Sequence, residues 1–396
     1  MKSTTVIFIE SPRYMASAEY LNDINNTQFL TNSKECFLEL SSKSLNPILL
    51  KTRSLYDCII FKKNFRKINP LNVILFNDHS PVSFWIQKNF YTILINVDLP
   101  FALLDLFTVR FQKNQFIKPN PFFVRLFQLI SQPKVKIENK FYYFKNASIM
   151  RAYLFLIQKI IFGFDYVFNT LPGRHASVIA INNENVKNTY IKSGFSKEKL
   201  HVTGSIEFDA TNEQIKKTNS LNLKKSVDII FLTQPYYLYP SSYESWSFDI
   251  ESFVDDCQEN NLSYLLLLHP RENRNYYEKF TNNENILSFE QRTPQQDFEL
   301  IKSSKLVVLK ASTSSIIPFN LKKPICYINY SSMCPDQNAM SFFHHDMILY
   351  QNNNIGSVLK KLKTNKINIA KFQNFKIEEN YPYQSQTLSK IVELLK

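Results

Sequence analysis

Short runs of apolar residues recur along the chain, and segments with helical spacing separate them. We expect strands at Thr5–Ile9, Cys58–Phe61, Val73–Phe76, Thr92–Asn96, Tyr166–Asn169, Val178–Ile181, Asp228–Leu232, Tyr264–Leu268, Leu306–Leu309 and Ile325–Ile328. We expect helices at Tyr14–Asp23, Met150–Phe162, Asn183–Ser193, Tyr243–Asn260, Pro294–Ser303 and Ser385–Lys396. The strand runs are almost continuously apolar, which is typical of parallel strands covered on both faces. The pattern therefore predicts an α/β protein built from βαβ units.

A polar stretch from Thr211 to Lys225 interrupts this pattern, and a new apolar strand run follows it. Such a stretch between two blocks of strands is typical of a linker between domains. We therefore predict an N-terminal α/β domain over residues 1–205, a linker over 206–225, a C-terminal α/β domain over 226–375 and a C-terminal segment over 376–396.

Composition excludes several classes of protein. The chain has 396 residues, of which 44% are hydrophobic and 20% charged, so it has enough apolar material for packed cores and is not of the disordered class. Only 5 residues are glycine, and neither glycine-rich phosphate-binding motif occurs. The five cysteines are dispersed, which predicts reduced thiols with no disulfide framework and no zinc site. No apolar stretch is long enough to span a membrane or form a signal-peptide core, so we expect a cytoplasmic protein.

The net charge of +13 favours anionic partners. The excess is uneven, because residues 110–159 contain ten Lys or Arg and one acid, Glu138, among many aromatic residues. Interleaved basic and aromatic residues suit a membrane surface or single-stranded nucleic acid. The open alternative is an ordinary apolar domain with a lysine-rich surface.

Two polar segments follow predicted strands of the C-terminal domain. His269, Pro270 and Arg271 come after Tyr264–Leu268, and the segment 312–315 (STSS) comes after Leu306–Leu309. Ligands of open α/β sheets bind at the carboxyl ends of strands, where an imidazole, a guanidinium and a helix N-terminus can hold a phosphate. The alternatives are a structural histidine and an ordinary helix cap.

A third segment, SGFSKEKLHVTGSIEFDA at 193–210, holds two of the few glycines, Gly194 and Gly204. In a chain with so little glycine, each retained glycine is expected to meet a backbone requirement.

These three segments resemble bacterial GT-B glycosyltransferase-like enzymes that build surface carbohydrates. The matching features are the Gly194–Asp209 pattern with its V-T-G-S run, His269-Pro270, and the serines Ser312, Ser314 and Ser315. The chain is most similar to polysialyltransferases and capsule Kdo-transferases, with CDP-glycerol polymerases and UDP-GlcNAc 2-epimerases as more distant relatives. Two departures are visible: the acidic pair followed by glycine of polysialyltransferases is absent, and Lys310-Ala311 stands where CDP-glycerol enzymes have an aspartate.

The resemblance implies a GT-B-like fold, with two Rossmann-like domains, a cleft between them and a C-terminal helix that crosses back to the first domain. It also implies that His269, Pro270, Arg271, Ser312, Ser314, Ser315 and Gly204 bind a nucleotide-sugar donor. A CMP-activated acidic sugar is the donor expected from the nearest relatives.

The catalytic base has to be sought by physical argument, since no motif supplies it. Acceptor activation needs a carboxylate or histidine near the donor. Asp78, in a polar loop after an apolar strand, is the first candidate, and Glu10 in IESPR is the second; either could instead be a loop cap. The run His344-His345-Asp346 could mimic a metal site, but adjacent histidines point apart, so we assign no metal.

We therefore expect a metal-independent glycosyltransferase that moves sialic acid, another nonulosonic acid or Kdo from a CMP donor to a surface oligosaccharide or glycolipid. The same-fold alternatives are a UDP-sugar transferase, a UDP-GlcNAc 2-epimerase and a CDP-glycerol-type transferase. A further alternative is a basic protein that binds nucleic acid or a membrane. For the enzyme we expect no cofactor beyond the donor and no nucleic acid partner, and a peripheral position at the inner membrane stays open.

Overall fold

The computed structural model of the chain describes residues 4–76, 80–95, 134–137, 140–143, 157–158, 160–163, 175–192, 195–217, 227–234, 243–270, 272–309, 316–328, 348–351, 358 and 385–395. The chain divides into two compact units. The first unit comprises Met1–Leu104, Asn114–Ala210 and Tyr381–Lys396, and the second comprises Asp105–Lys113 and Thr211–Asn380.

The first unit is built on a parallel sheet in which the order of strands is β3-β2-β1-β4-β5-β8-β9. The strands are β1 (Thr5–Ile9), β2 (Thr27–Thr31), β3 (Ile48–Leu49), β4 (Asn72–Leu75), β5 (Thr92–Ile95), β8 (Val178–Ile181) and β9 (Leu200–Val202). A separate antiparallel pair joins β6 (Lys134–Ile137) to β7 (Lys140–Tyr143). The order around β1 reverses at β4, as in a doubly wound Rossmann sheet.

The second unit repeats this arrangement, with the strand order β12-β11-β10-β13-β14-β15 and parallel pairing throughout. Its strands are β10 (Ile229–Leu232), β11 (Tyr264–Leu267), β12 (Ile286–Leu287), β13 (Leu306–Leu309), β14 (Ile325–Ile328) and β15 (Ile348–Gln351). Here the order reverses between β10 and β13. The predicted α/β class with two Rossmann-like units is therefore confirmed.

Helices connect the strands of both units. They are α1 (Met15–Tyr20), α2 (Lys34–Ser42), α3 (Leu55–Ile68), α4 (Pro81–Asn89), α5 (Glu184–Lys192), α6 (Ile206–Lys217), α7 (Tyr243–Glu259), α8 (Pro294–Ser303), α9 (Ile316–Asn320) and α10 (Thr387–Glu393). In the described part of the chain, no helix has both the length and the apolar character that a membrane crossing requires. Helix α6 lies within the segment 206–225 that we predicted as a linker, and the predicted domain limits stay a prediction.

Most predicted strands occur within one residue of their expected limits, but the prediction of a strand at Cys58–Phe61 is wrong. These residues belong to α3, which begins after the N-cap Ser54, whose hydroxyl accepts a hydrogen bond from Asp57 N at 3.1 Å. Cys58, Phe61 and Phe65 are buried on one face of that helix. The apolar run is short enough to fit either structure, and the spacing of its buried positions over four turns decided for the helix. The predicted strand at 166–169 lies outside the described residues, as does most of the predicted helix at 150–162.

Each unit has its own apolar core. In the first unit, side chains of β1, β4, β5 and β8 pack with those of α1 and α2, and Ile391 of α10 is fully buried among them. In the second unit, α7 places Trp246, Ile250 and Phe253 against the strands β10 and β11. The residues of β1, β4, β10 and β11 are buried along the whole length of each strand, which explains why these sequences are almost continuously apolar.

The C-terminal segment packs onto the first unit through Asp209, which is buried near the start of α6. Its carboxylate accepts hydrogen bonds from Ser385 N at 2.9 Å and Thr387 N at 3.3 Å, and from the Tyr20 hydroxyl at 3.4 Å. These bonds satisfy backbone donors at the start of α10, which otherwise lack partners. The return of the C-terminal helix to the first domain, which the resemblance implied, is therefore observed, and the last residue of the V-T-G-S-x-x-x-D pattern holds it.

We expect Asp209→Ala to lower the free energy of unfolding by about 1–3 kcal/mol, because three donors lose a charged acceptor. Asp209→Asn, which keeps one acceptor oxygen, should lose less. Urea unfolding and amide exchange of residues 385–395 would measure both effects. The matched control is Glu213→Ala on the same helix, which removes only a surface ion pair with Lys216 and should change stability by less than about 1 kcal/mol. Equal effects of Asp209→Ala and Glu213→Ala would contradict the role of Asp209.

Candidate functional site

Two predicted site residues, Glu10 and His269, and one that was not predicted, Thr233, follow strands beside the points where strand order reverses. Glu10 follows β1 and Thr233 follows β10, the central strands of the two sheets, and His269 follows β11, the neighbour of β10. These carboxyl edges are where doubly wound sheets bind ligands. Several predicted site residues lie outside the described residues, and their roles stay predictions: Asp78, Arg271, Ser312, Ser314 and Ser315.

His269 and Pro270 form a tight turn after β11. The carbonyl of His269 accepts a hydrogen bond from Glu272 N at 2.8 Å, which closes a four-residue turn with Pro270 at its second position. Proline is favoured there because its fixed φ matches the turn. The side chain of His269 is partly exposed and Pro270 is exposed. The turn therefore constrains the backbone that carries the His269 imidazole at the sheet edge, and a contact of this imidazole with a donor stays a prediction.

The carboxylate of Glu272 is hydrogen-bonded to the backbone of this turn. It accepts a hydrogen bond from His269 N at 2.7 Å and further hydrogen bonds from the hydroxyls of Thr233 and Tyr277. Thr233 follows β10, and its backbone N also donates to the carbonyl of Leu267 at 3.1 Å. Glu272 thus joins the ends of β10 and β11 to the His269 turn, and all of its partners belong to the second unit.

The clasp, by which we mean Glu272 with Thr233, Tyr277 and the backbone of His269, lies in an apolar setting. Glu272 and Tyr277 are buried, and Trp246 packs edge-on against the Tyr277 ring at 5.2 Å between centroids. Burial raises the pKa of Glu272 to about 7, although the three hydrogen-bond donors and the charge of Arg292 lower it. Burial and the Glu272 carboxylate likewise raise the pKa of Tyr277, so its hydroxyl remains a donor at neutral pH.

An ion pair between Arg292 and Asp297 supports the same loop. The guanidinium of Arg292 is 2.6 Å from the Asp297 carboxylate, and it donates to the carbonyls of Leu268 and Leu287 at 2.6 and 2.7 Å. Burial raises the pKa of Asp297 to about 6, and the adjacent guanidinium opposes that rise. Arg292 therefore fixes the residue just before His269 while satisfying carbonyls at the ends of two strands.

In the first unit, Glu10 lies at the reversal point between β1 and β4. Its carboxylate accepts hydrogen bonds from the hydroxyls of Ser80 and Ser83 at 2.7 and 2.6 Å, and from the Asn32 amide at 3.1 Å. Ser80 is the N-cap of α4, so the negative charge also lies at the positive end of a helix dipole. These contacts give Glu10 a structural role, and its role as a general base stays a prediction.

Gly204 lies in the buried turn between β9 and α6. Its φ is +89°, a conformation that favours glycine, so this glycine meets a backbone requirement. The next residue, Ser205, accepts a hydrogen bond from Phe208 N at 3.2 Å and starts α6. The turn belongs to the first unit, and a contact of Gly204 with the donor stays a prediction.

Metal ligands and reactive thiols are not gathered at this edge in the residues that the structure describes. No group of three or more His, Cys, Asp or Glu side chains in those ranges is arranged to hold a metal ion. The run 344–346 lies outside them. Cys36, Cys58, Cys257 and Cys326 are buried and form no disulfide, and burial raises the pKa of Cys58 to about 11.

The sequence reasoning missed most of the clasp. It named His269 but gave no role to Glu272, Thr233 or Tyr277, nor to Arg292, which supports the same loop. The usable signal was an acid three residues after a histidine, across a proline, directly after an apolar strand run. Thr233 and Arg292 reach the turn from other strands and loops, so local spacing could not have identified them.

We expect the stability of the protein relative to Glu272→Gln to fall as pH rises from about 4.5 to about 7. Over that range the unfolded carboxyl loses its proton while the buried one retains it, so unfolding becomes easier by up to roughly 3 kcal/mol. Glutamine has no such titration, whereas Asp297, Arg292 and Tyr277 are common to both proteins. Urea unfolding of both proteins across this pH range gives the difference directly. A difference that is constant, or that increases with pH, would contradict the raised pKa.

The fold of the whole chain is shared with solved sugar-nucleotide enzymes. The putative UDP-N-acetylglucosamine 2-epimerase of Listeria monocytogenes matches with a TM-score of 0.60 at 12% identity, over 99% of this chain and 95% of that one. The UDP-GlcNAc 2-epimerase of Neisseria meningitidis, bound to UDP-GlcNAc, matches with a TM-score of 0.59 at 13% identity, over 99% of both chains. The Methanocaldococcus jannaschii enzyme, in complex with UDP-GlcNAc and UDP, matches with a TM-score of 0.57 at 14% identity, over 99% of both chains.

No family model and no curated protein matches the sequence. At such low identity the structural likeness establishes the fold alone. These solved structures are 2-epimerases, so they agree with the GT-B-like fold of our prediction, while the narrower resemblance to sialyl- and Kdo-transferases stays a prediction. The chain has the GT-B-like α/β architecture of two Rossmann-like units.

Proposed function

We propose that this chain is a nucleotide-sugar enzyme that binds a UDP-linked sugar through its second unit. The observation that carries the proposal is the clasped His269-Pro270 turn at the carboxyl edge of β11, in a fold whose solved examples hold UDP or UDP-GlcNAc. UDP replaces the CMP of our sequence prediction as the first nucleotide to test, because none of the motifs specified the base.

The clasp suits the binding of a phosphate because it fixes the backbone that carries the partly exposed His269 side chain. A backbone that is already fixed loses little conformational freedom when an anion binds to this imidazole. With a raised pKa, Glu272 is partly protonated near neutral pH, so less negative charge opposes the anion. The polar groups at the end of β10 lie beside the turn, where a doubly wound sheet receives its ligand.

The first reaction to test is 2-epimerisation of a UDP-N-acetylhexosamine. Inversion at C2 requires that the C2 proton be removed while the C2 electron pair expels UDP from C1, and that a proton be returned to the opposite face of C2 while UDP rejoins C1. We propose Glu10, which lies at the reversal point of the first sheet, as the base that removes the C2 proton. Asp78, which lies outside the described residues, is the alternative. Transfer reactions of the same fold also break the bond from C1 to the nucleotide oxygen, but they join C1 to an acceptor hydroxyl and leave the C2 hydrogen in place.

Transfer of an acidic sugar from CMP to a surface glycan remains the second hypothesis, since the sequence resemblance still favours it. It shares the His269 turn with the first hypothesis and differs in the nucleotide, which makes the two separable by binding alone. Binding of CDP, measured in the same way, tests a CDP-glycerol-type reaction.

We expect UDP at 100 times its dissociation constant to stabilise the protein against thermal unfolding by about 2.7 kcal/mol. His269→Ala should remove most of this shift, because the imidazole no longer contacts the phosphate. The matched control is His201→Ala, which removes a histidine of β9 in the first unit whose ring lies 3.1 Å from the carbonyl of nearby Glu198. Stabilisation by CMP but not UDP would favour the acidic-sugar transferase, and no response to any nucleotide would contradict both hypotheses.

We expect UDP-GlcNAc to acquire deuterium at C2 when it is incubated with the enzyme in deuterium oxide. The loss of the C2 signal in proton NMR measures this uptake. Glu10→Gln should slow this exchange by about 100-fold or more if Glu10 is the base. Glu35→Gln, an exposed carboxylate on α2, should exchange at the normal rate. UDP binding without deuterium uptake would instead favour a UDP-sugar transferase.

A further inference from the structure

Helix α3 carries a face that the core of the first unit does not cover. At about 100° per residue, Leu55, Tyr56, Ile59, Lys62, Lys63, Arg66 and Lys67 fall within an arc of about 140°. The opposite face holds the buried Cys58, Phe61 and Phe65. The helix is therefore divided lengthwise between a core face and a second face of mixed apolar and cationic character.

The cations of this face border a groove. The groove has a volume of about 560 Å³ and is lined by Ile59, Lys62, Lys63, Arg66, Lys67, Ile160 and Ile161. Its lining contains four positive charges and no acid. In the described part of the chain, no carboxylate forms a salt bridge with any of these four side chains.

Ordinary helix chemistry accounts for only part of this charge. Arg66 and Lys67 are in the last turn, where cations complement the helix dipole, but Lys62 and Lys63 precede it. Lys62 donates a hydrogen bond to the carbonyl of Ile161 at 3.0 Å and lies 5.5 Å from the centre of the Trp85 ring. Arg66 lies 5.7 Å from the same ring. Partial burial and the charge of Arg66 lower the pKa of Lys62, so a bound anion would relieve repulsion among these cations.

Apolar side chains next to the cations are unusually exposed. Tyr56 is 72% exposed, Leu55 50%, Ile59 49% and Ile160 69%. A soluble anionic oligosaccharide would need the cations and would gain little from exposed isoleucines. An anionic membrane surface uses both, since lipid headgroups neutralise lysine and arginine while apolar side chains enter the boundary with the acyl chains.

We propose that this face of α3, together with Ile160, docks the first unit on a membrane surface rich in anionic phospholipid. The charge complementarity of four cations and the adjacent exposed apolar residues identify the occupant. This surface is distinct from the basic aromatic stretch 110–159 that the sequence suggested, because its cations lie on α3. The proposal is independent of the reaction that the enzyme catalyses.

The test is sedimentation of the full chain with phosphatidylcholine vesicles that contain or lack phosphatidylglycerol. We expect the wild-type chain to bind only the vesicles with phosphatidylglycerol, and less at high salt. Lys63→Glu/Lys67→Glu should weaken binding at least about tenfold, because each cation near an anionic surface contributes on the order of a fivefold affinity. The control Lys34→Glu/Lys217→Glu makes the same charge change on exposed helix positions elsewhere and should bind as wild type.

A second variant separates lipid from soluble polyanions. Ile59→Gln/Ile160→Gln keeps every charge and should also weaken vesicle binding. Normal binding of this variant would overturn the lipid assignment in favour of a charge-only ligand such as an anionic oligosaccharide. Equal loss in the Lys63/Lys67 and Lys34/Lys217 variants, or equal binding to both kinds of vesicle, would overturn the docking surface itself. All of these positions are exposed, so circular dichroism should confirm unchanged folding.

Discussion

Burial of the central strands of both sheets on both faces is the constraint on which the rest of this structure depends. Strands such as β1 and β10 have no exposed position, so they offer no side chain to a ligand. Polar chemistry can then enter only where the strands end. Parallel strands all end at the same edge, and the strand order leaves a crevice where it reverses. Glu10 and Thr233 are the first polar positions after the two central strands, and this explains their importance.

The loops at these edges are held by carboxylates rather than shaped by glycine. Glu10 ties the end of β1 to the start of α4, Asp209 ties α6 to the C-terminal helix, and Glu272 ties β10 and β11 to the His269 turn. Each carboxylate accepts several hydrogen bonds, and its donors include a buried group that needs a partner: Ser83 for Glu10, Thr387 for Asp209 and Thr233 for Glu272. In a chain with only 5 glycines, this is a consistent way to fix backbone at strand ends.

The same device creates the chemical interest of the second unit. A carboxylate that is both buried and surrounded by donors lies between two protonation states near neutral pH, and it touches the backbone of a partly exposed histidine. Structural support and function therefore cannot be assigned to separate residues here. Removing Glu272 would alter the geometry of His269 as well as the local charge. By contrast, the cationic side chains of α3 form no hydrogen bond with the end of any described strand.

The sequence predicted the elements whose signals are local. The continuous apolar runs identified the strands, the polar residues from His269 onward were expected directly after β11, and the resemblance carried by the pattern that ends in Asp209 implied the returning C-terminal helix. It failed at Cys58–Phe61, where a short apolar run fits a strand as well as a helix. Because a strand was predicted there, the helical spacing of the cations on α3 was not recognised.

Tertiary structure decided the rest, because the deciding contacts join distant positions. Thr233 and Glu272 are 39 residues apart, and Ser80 is 70 residues from Glu10, so no spacing rule relates them. Whether a carboxylate is a loop clasp or a reactive group depends on the donors that folding brings to it and on how far it is removed from water. The sequence by itself determined where polar residues would leave the sheets, and only the folded chain determined which of them meet.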